Sequence, residues 1–176
     1  MKFSNILTKY LEILFTAQGD MAYASAPKTL AALAKGAANL KMFMNAGATA
    51  PEWAAGIKFG SFTREMDAAT GDVNITGVGF KPSLIMVMNA SPLGTSYSIG
   101  WGTGLGANQG YIRGTTATFM PEINTQYIGY IMEDAAVTKY QSYALAAFIV
   151  DGFTLSWIRV GATAAGTATL IYVAFR

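Results

Sequence analysis

From Gly19 to Gly56 the chain reads GDMAYASAPKTLAALAKGAANLKMFMNAGATAPEWAAG, a stretch rich in Ala, Gly, Thr and Asn. Its large apolar residues include Met21, Tyr23, Leu30, Leu33, Leu40, Met42, Met44 and Trp53. They are spread too thinly for one copy to enclose a core. Such a segment stays disordered or is ordered by copies of itself. Pro27 and Pro51 are poor central-strand residues, and Gly36, Gly47 and Gly56 punctuate the run. An extended piece is expected at 20–24 and a turn or helical turn through 27–34. A strand at 39–45 follows, then a loop to Trp53, read as a packing anchor where this segment meets the next.

The rest of the chain has to supply the core. Charged residues make up 12% of the 176, against about 25% in an average soluble domain. With 19 glycines, this low charge points to surface hidden against neighbours. A net charge of +2 is too small to argue for nucleic acid or anionic lipid. The chain has neither Cys nor His, which removes disulfides, thiolate chemistry, the commonest general base and the commonest metal ligand.

Residues 1–17 read as an amphipathic helix. Phe3, Leu7, Tyr10, Leu14 and Ala17 recur in alternating steps of four and three, and Ile6 and Ile13 widen the stripe. Gly19 stops it. Lys9 and Glu12 interrupt the apolar run, so it is read neither as a secretory signal nor as a membrane span. The core-poor segment that follows cannot receive this stripe. Phe3, Ile6, Leu7, Tyr10 and Leu14 are therefore candidates for anchoring the protein to a larger assembly.

Residues 61–176 read as all-β. Strand-like runs bounded by Gly, Pro, Asn and Asp fall at 73–78, 83–90, 96–101, 110–113, 117–120, 126–132, 143–150, 153–160 and 168–175. The runs at 84–88 and 170–175 are apolar on both faces, the mark of a central strand or of one buried between protomers. So many short strands in this length indicate a sandwich or jelly roll. Trp157, Phe148, Ile149, Val150, Leu155, Ile158 and Val160 are assigned to its core.

Motifs that carry chemistry are few. The run Gly100-Trp101-Gly102-Thr103-Gly104-Leu105-Gly106 has neither a following helix nor a closing Lys-Ser or Lys-Thr, so it is read as a turned or flexible sandwich loop rather than a phosphate cradle. Glu122, Glu133, Asp134 and Asp151 form no convincing catalytic pair. No catalytic residue, metal site or cofactor is expected. Tyr97, Trp101, Tyr111, Tyr127, Tyr130, Tyr140 and Tyr143 are a dense set of amphipathic rings. Such rings serve core and interface packing, or sugar and receptor contact. Trp101 and Tyr111 flank the Gly-rich run and are the first candidates for an exposed receptor pair. Tyr97 joins them, and Arg113 could add hydrogen bonds to a glycan hydroxyl or carboxylate.

The order GD-x-x-YASA, then L-x-x-LAKG, then a strand ending in MNAGATAPEW resembles the shaft module of bacteriophage tail fibres and related virion appendages. GDVNITGVGFKPSLIMVM followed by a SIGWG strand more loosely resembles their head domains. The resemblance implies a mainly β chain in three parts. Residues 1–17 would be an anchoring helix, 18–60 a short intertwined trimeric shaft, and 61–176 an antiparallel β-sandwich, jelly-roll-like head. It implies a non-enzymatic virion protein, a tail or head fibre involved in host attachment or a capsid decoration without a receptor role. Its expected partners are two further copies of itself, other virion proteins through the N-terminal helix, and a host-surface glycan, with no nucleic acid and no membrane insertion.

Overall fold

The computed structural model describes residues 15, 17–27, 29–45, 49–92, 96–104, 109–115, 119–120, 126–133 and 136–176. The helix expected over 1–17 and its candidates Phe3, Ile6, Leu7, Tyr10 and Leu14 lie outside the described residues, apart from positions 15 and 17. The chain divides into two compact units, Met1–Gly56 and Ile57–Arg176.

The described part of the first unit is two separate antiparallel hairpins. One pairs β1 (Met21–Ala26) with β2 (Thr29–Leu33), and the other pairs β3 (Lys41–Met44) with β4 (Pro51–Ala54). Two expectations are corrected here. The turn or helical turn anticipated at 27–34 is strand over most of its length, as β2, because cross-strand pairing with β1 outweighs the helix preference of Leu30-Ala31-Ala32-Leu33. Trp53 lies in a strand rather than a loop. Pro51 is tolerated at the start of β4 because a two-stranded ribbon consists of edges. The ring of Trp53 packs on Gly36, where an added Cβ would stand 2.5 Å from it, and its Nε1 donates to Ala34 O at 2.7 Å. Asp20 ties the first hairpin's ends by accepting from the amides of Ala17 and Lys35, both at 2.9 Å. No described residue of this unit is buried.

The second unit holds β5 (Ile57–Glu65), β6 (Gly71–Thr76), β7 (Leu84–Ala90), β8 (Ser96–Thr103), β9 (Gln109–Thr115), β10 (Phe119–Met120), β11 (Gly129–Met132), β12 (Tyr140–Ile149), β13 (Gly152–Val160) and β14 (Thr167–Phe175). They form a six-stranded sheet, β10-β9-β8-β7-β14-β5, and a four-stranded sheet, β11-β12-β13-β6, antiparallel throughout. Residues 57–60, assigned to the shaft from sequence, are the first half of β5 and pair with 172–175 of β14. In place of the strand alternation between sheets that a jelly roll needs, β7 to β10 and β11 to β13 run as meanders. Short connections keep consecutive strands side by side.

The two sheets share one core. Ile85, Val87, Leu170, Tyr172 and Ala174 face it from the larger sheet, and Ile75, Tyr143, Phe153, Leu155 and Trp157 from the smaller. The Phe153 and Tyr172 rings meet edge-on at 5.2 Å. Trp157 is capped by the Arg64 guanidinium 4.8 Å from its ring centroid, and Arg64 Nε donates to Gln141 Oε1 at 2.8 Å. Burial of Trp157 and Leu155 follows the alternation along β13, whereas Val150 and Ile158 do not belong to the core. Val150 is at the β12–β13 turn, and Ile158 has the opposite parity to Trp157 and faces out. Ile149 and Val160 are half-buried, and Phe148 packs against the core from its margin.

Candidate functional site

The site is decided by which way β8 faces. Its residues toward the other sheet are Ser96, Ser98, Gly100 and Gly102; those away from it are Tyr97, Ile99, Trp101 and Thr103. All the small side chains are inside and all the large ones outside, the reverse of an ordinary half-buried strand. The cause is the close approach of the chain that leads into and forms β11. A Cβ added at Gly100 would stand 1.8 Å from Ile128 O, which leaves no room for a side chain. Ser98 Oγ lies 3.1 Å from both the amide and the carbonyl of Tyr130, and Ser96 Oγ accepts from Met132 N at 3.0 Å. The serines thus satisfy the free edge of β11 and close one side of the sandwich. The Gly-rich run read as a loop is therefore strand through Thr103; Gly100 admits neighbouring backbone, and Gly102 and Gly104 admit the side chains of Leu145 and Phe148. Residues 105–108 lie outside the described residues.

Outward parity on β5, β14, β7, β8 and β9 then assembles one surface. Register places Phe59, Val173, Met86, Trp101 and Gly110 in one row across the sheet. The next row is Ser61, Ile171, Met88, Ile99 and Ile112. Trp101 lies down over Gly110, and Tyr97 over Gly114, the rings filling the space that the glycines leave. The result is a low, flat wall. Phe59 is 71% exposed, and Ile171, Tyr97 and Met88 are 50%, 45% and 40% exposed. Among the described outward residues of these strands the one charge is Glu65, at the far end opposite Thr167. The other sheet turns Asp72, Asn74 and Ser156 outward, so its outer face is the more polar of the two.

This geometry separates the receptor candidates. Gly100, not Trp101, pairs with Tyr111, so Trp101 and Tyr111 project from opposite faces of the sheet. Tyr111 is 0% exposed and unavailable to a ligand. Arg113 shares its inward parity and is half-buried, its guanidinium 5.2 Å from the Tyr130 ring centroid and its Nη1 3.4 Å from Met132 Sδ. Tyr130 is the hub of a ring stack, 5.0 Å from Tyr111, 5.1 Å from Tyr140 and 5.4 Å from Tyr127. Of the four candidates, only Tyr97 and Trp101 stand on the outer wall. Sequence reasoning missed Phe59, Met86, Met88 and Ile171 as surface residues. The signal was present in the two-faced apolar runs at 84–88 and 170–175.

The polar interior has structural work. Asn89 Nδ2 donates to Tyr143 OH at 2.6 Å and to Ser98 Oγ at 2.8 Å, joining the sheets. Burial pushes the Tyr143 hydroxyl well above its ordinary range, against the opposing pull of hydrogen bonds from Ser98 and Asn89. The candidate acids are dispersed. Asp151 accepts from the amides of Gly77 and Gly79, and Glu133 from Ala164 N at 2.9 Å. Glu122 and Asp134 lie outside the described residues. Among the described residues no cluster of acids could hold a metal. A crevice of about 190 Å³ beside the β12 bulge is lined by Thr103, Gly104, Leu145, Ala146, Ala147 and Phe148, none of them titratable.

No family model, curated protein or solved structure matches this chain.

Proposed function

We propose that the protein is a structural subunit of a bacteriophage particle, a short homotrimeric fibre on tail or head, displayed on the virion surface and without enzymatic activity. The observation that carries this reading is the first unit. It is made of two ribbons with no buried residue among those described, in the segment whose motifs resemble a shaft module. Isolated two-stranded ribbons are marginal in water. Winding copies together supplies the burial that one chain lacks, and the segment at 1–17 would attach the assembly to other virion proteins. The experiment is mass spectrometry of purified particles with antibody labelling of the intact virion. The expected result is the chain at a surface appendage, with the isolated protein scattering light as three times the 18.6 kDa chain. Its absence from particles would sink the reading.

One observation favours the second form of this reading, a decoration or head fibre without a receptor role. Tyr111 is core, and Tyr97 and Trp101 lie flat on a sheet face rather than at a loop tip. A host-glycan site built on the Trp101–Tyr111 pair is withdrawn.

A further inference from the structure

We infer that the outer face of the six-stranded sheet, centred on Phe59, Met86, Met88, Trp101 and Ile171, is a self-association interface that meets the same face of further copies of this chain. The inference rests on the self-assembling part of the reading above and deepens it by naming the surface.

Three observations carry it. First, β8 is inverted. Its large residues point away from the core while serines and glycines point in, so the strand contributes its apolar side chains only if something covers the outer face. Second, the apolar wall is continuous over five strands. With strands ~4.8 Å apart and a rise of ~3.4 Å per residue, the two rows described project to roughly 330 Å². The largest apolar patch on a typical monomer is about 300–600 Å², and patches of that size are often functional. The further outward residues Ile57, Phe175, Leu84, Ala90 and Tyr97 extend the wall toward the ~800 Å² per partner of a standard interface. Third, chemistry selects the occupant. The wall offers a partner no charge before Glu65 and few hydroxyls, such as Ser61, Thr63 and Thr169, so it has little with which to read a charged ligand or a polar surface. A flat, uncharged face is self-complementary. Turned toward the same face of two further copies about a three-fold axis, it brings no like charges together and closes an apolar core between copies. The first unit of the same chain also exposes Met21, Leu30, Met42 and Met44, and association of copies would cover these as well.

The test uses the full chain. Met88 and Ile171 are directly paired neighbours on the wall. Met88→Lys and Ile171→Lys, singly and together, should lower the mass in solution from an oligomer to one chain while the β-sheet circular dichroism is kept. Ile158→Lys, on the outer face of the other sheet, should leave the mass unchanged. Because the chain has no Cys, Met88→Cys gives a single thiol and a second readout that needs no disruptive charge. A short bis-maleimide should join copies through position 88 and not through Ile158→Cys. If the wild type is oligomeric, the lysine variants keep its mass and Met88→Cys does not cross-link, the face is overturned while self-assembly stands. A monomeric wild type with a freely reactive thiol at 88 overturns both. A monomeric wild type whose thiol is shielded shows that the chain's own residues cover the wall, and this also overturns the proposal. Absence from the particle overturns the virion reading alone.

Discussion

The hairpins before Gly56 and the strands after Ile57 share one local geometry, antiparallel pairs joined by turns, yet only the second set encloses a core. The first unit holds its form by polar ties and one ring. Asp20 bridges the amides of Ala17 and Lys35, Asn45 Oδ1 accepts from Thr49 N at 2.9 Å, and Trp53 sits on Gly36. The second unit buries Trp157, Tyr143, Phe153 and Leu155 completely. Pairing the backbone satisfies hydrogen bonds in both units, but net stability follows apolar burial, which needs a second layer. The second unit has two sheets, each covering the inner face of the other. The ribbons have none.

The sharpest way to break this contrast is to empty the core. Trp157→Ala should cost about 3–5 kcal/mol, read as a lowered urea midpoint, whereas Met42→Ala in the first unit should cost under about 0.5 kcal/mol in the dilute single chain. A large loss at Met42 in that state would reveal a core where the structure shows none.

The seam of the second unit comes next. Gly100→Ala sets a methyl group against the Ile128 carbonyl, which is backbone and cannot rotate aside. A loss of about 1–3 kcal/mol is expected, with altered near-UV circular dichroism from the Tyr130 stack.

Alkali should act through the second unit. Tyr143 has its hydroxyl pKa raised in the folded state by burial. Below about pH 10 the hydroxyl is neutral in both states and contributes no slope; above it the unfolded chain ionises first and stability falls, by about 1.4 kcal/mol per pH unit. Tyr172 is shifted the same way, by burial and then by the charge of Asp151. Tyr143→Phe should flatten the alkaline limb of a urea titration series. An unchanged limb would mean the hydroxyl is not held neutral.

The smallest effect belongs to the ribbons. Asp20→Ala should cost about 1 kcal/mol locally. Hydrogen exchange at Ala17 and Lys35 should quicken while the amides of β13 keep their protection. A parallel drop in β13 would contradict the division of the chain.

Much of the second unit was readable because its strands carry their own punctuation. The runs expected at 83–90, 153–160 and 168–175 lie within a residue of β7, β13 and β14 at each end. β5 was not found, since its apolar residues change parity. Ile57 and Phe59 face out while Phe62 faces the core, so no single alternation runs its length. β2 was misread because Leu and Ala are helix formers and nothing local announces its partner. The candidate site failed for a related reason. Trp101 and Tyr111 look like neighbours around a Gly-rich run, but the register Gly100↔Tyr111 sends them to opposite faces.

By itself the sequence determined a mainly β chain with a core-poor first third, a core assigned in part correctly to 155 and 157, and two runs apolar on both faces. Alternation, turn residues and composition are local properties, and they are legible one segment at a time. Tertiary structure alone decided which parity of β8 faces inward. That choice belongs to no residue of β8 singly. It follows from the backbone at Ile128 lying against Gly100, with Ser96 and Ser98 bonded to β11, which leaves Trp101, Ile99 and Tyr97 no direction but outward.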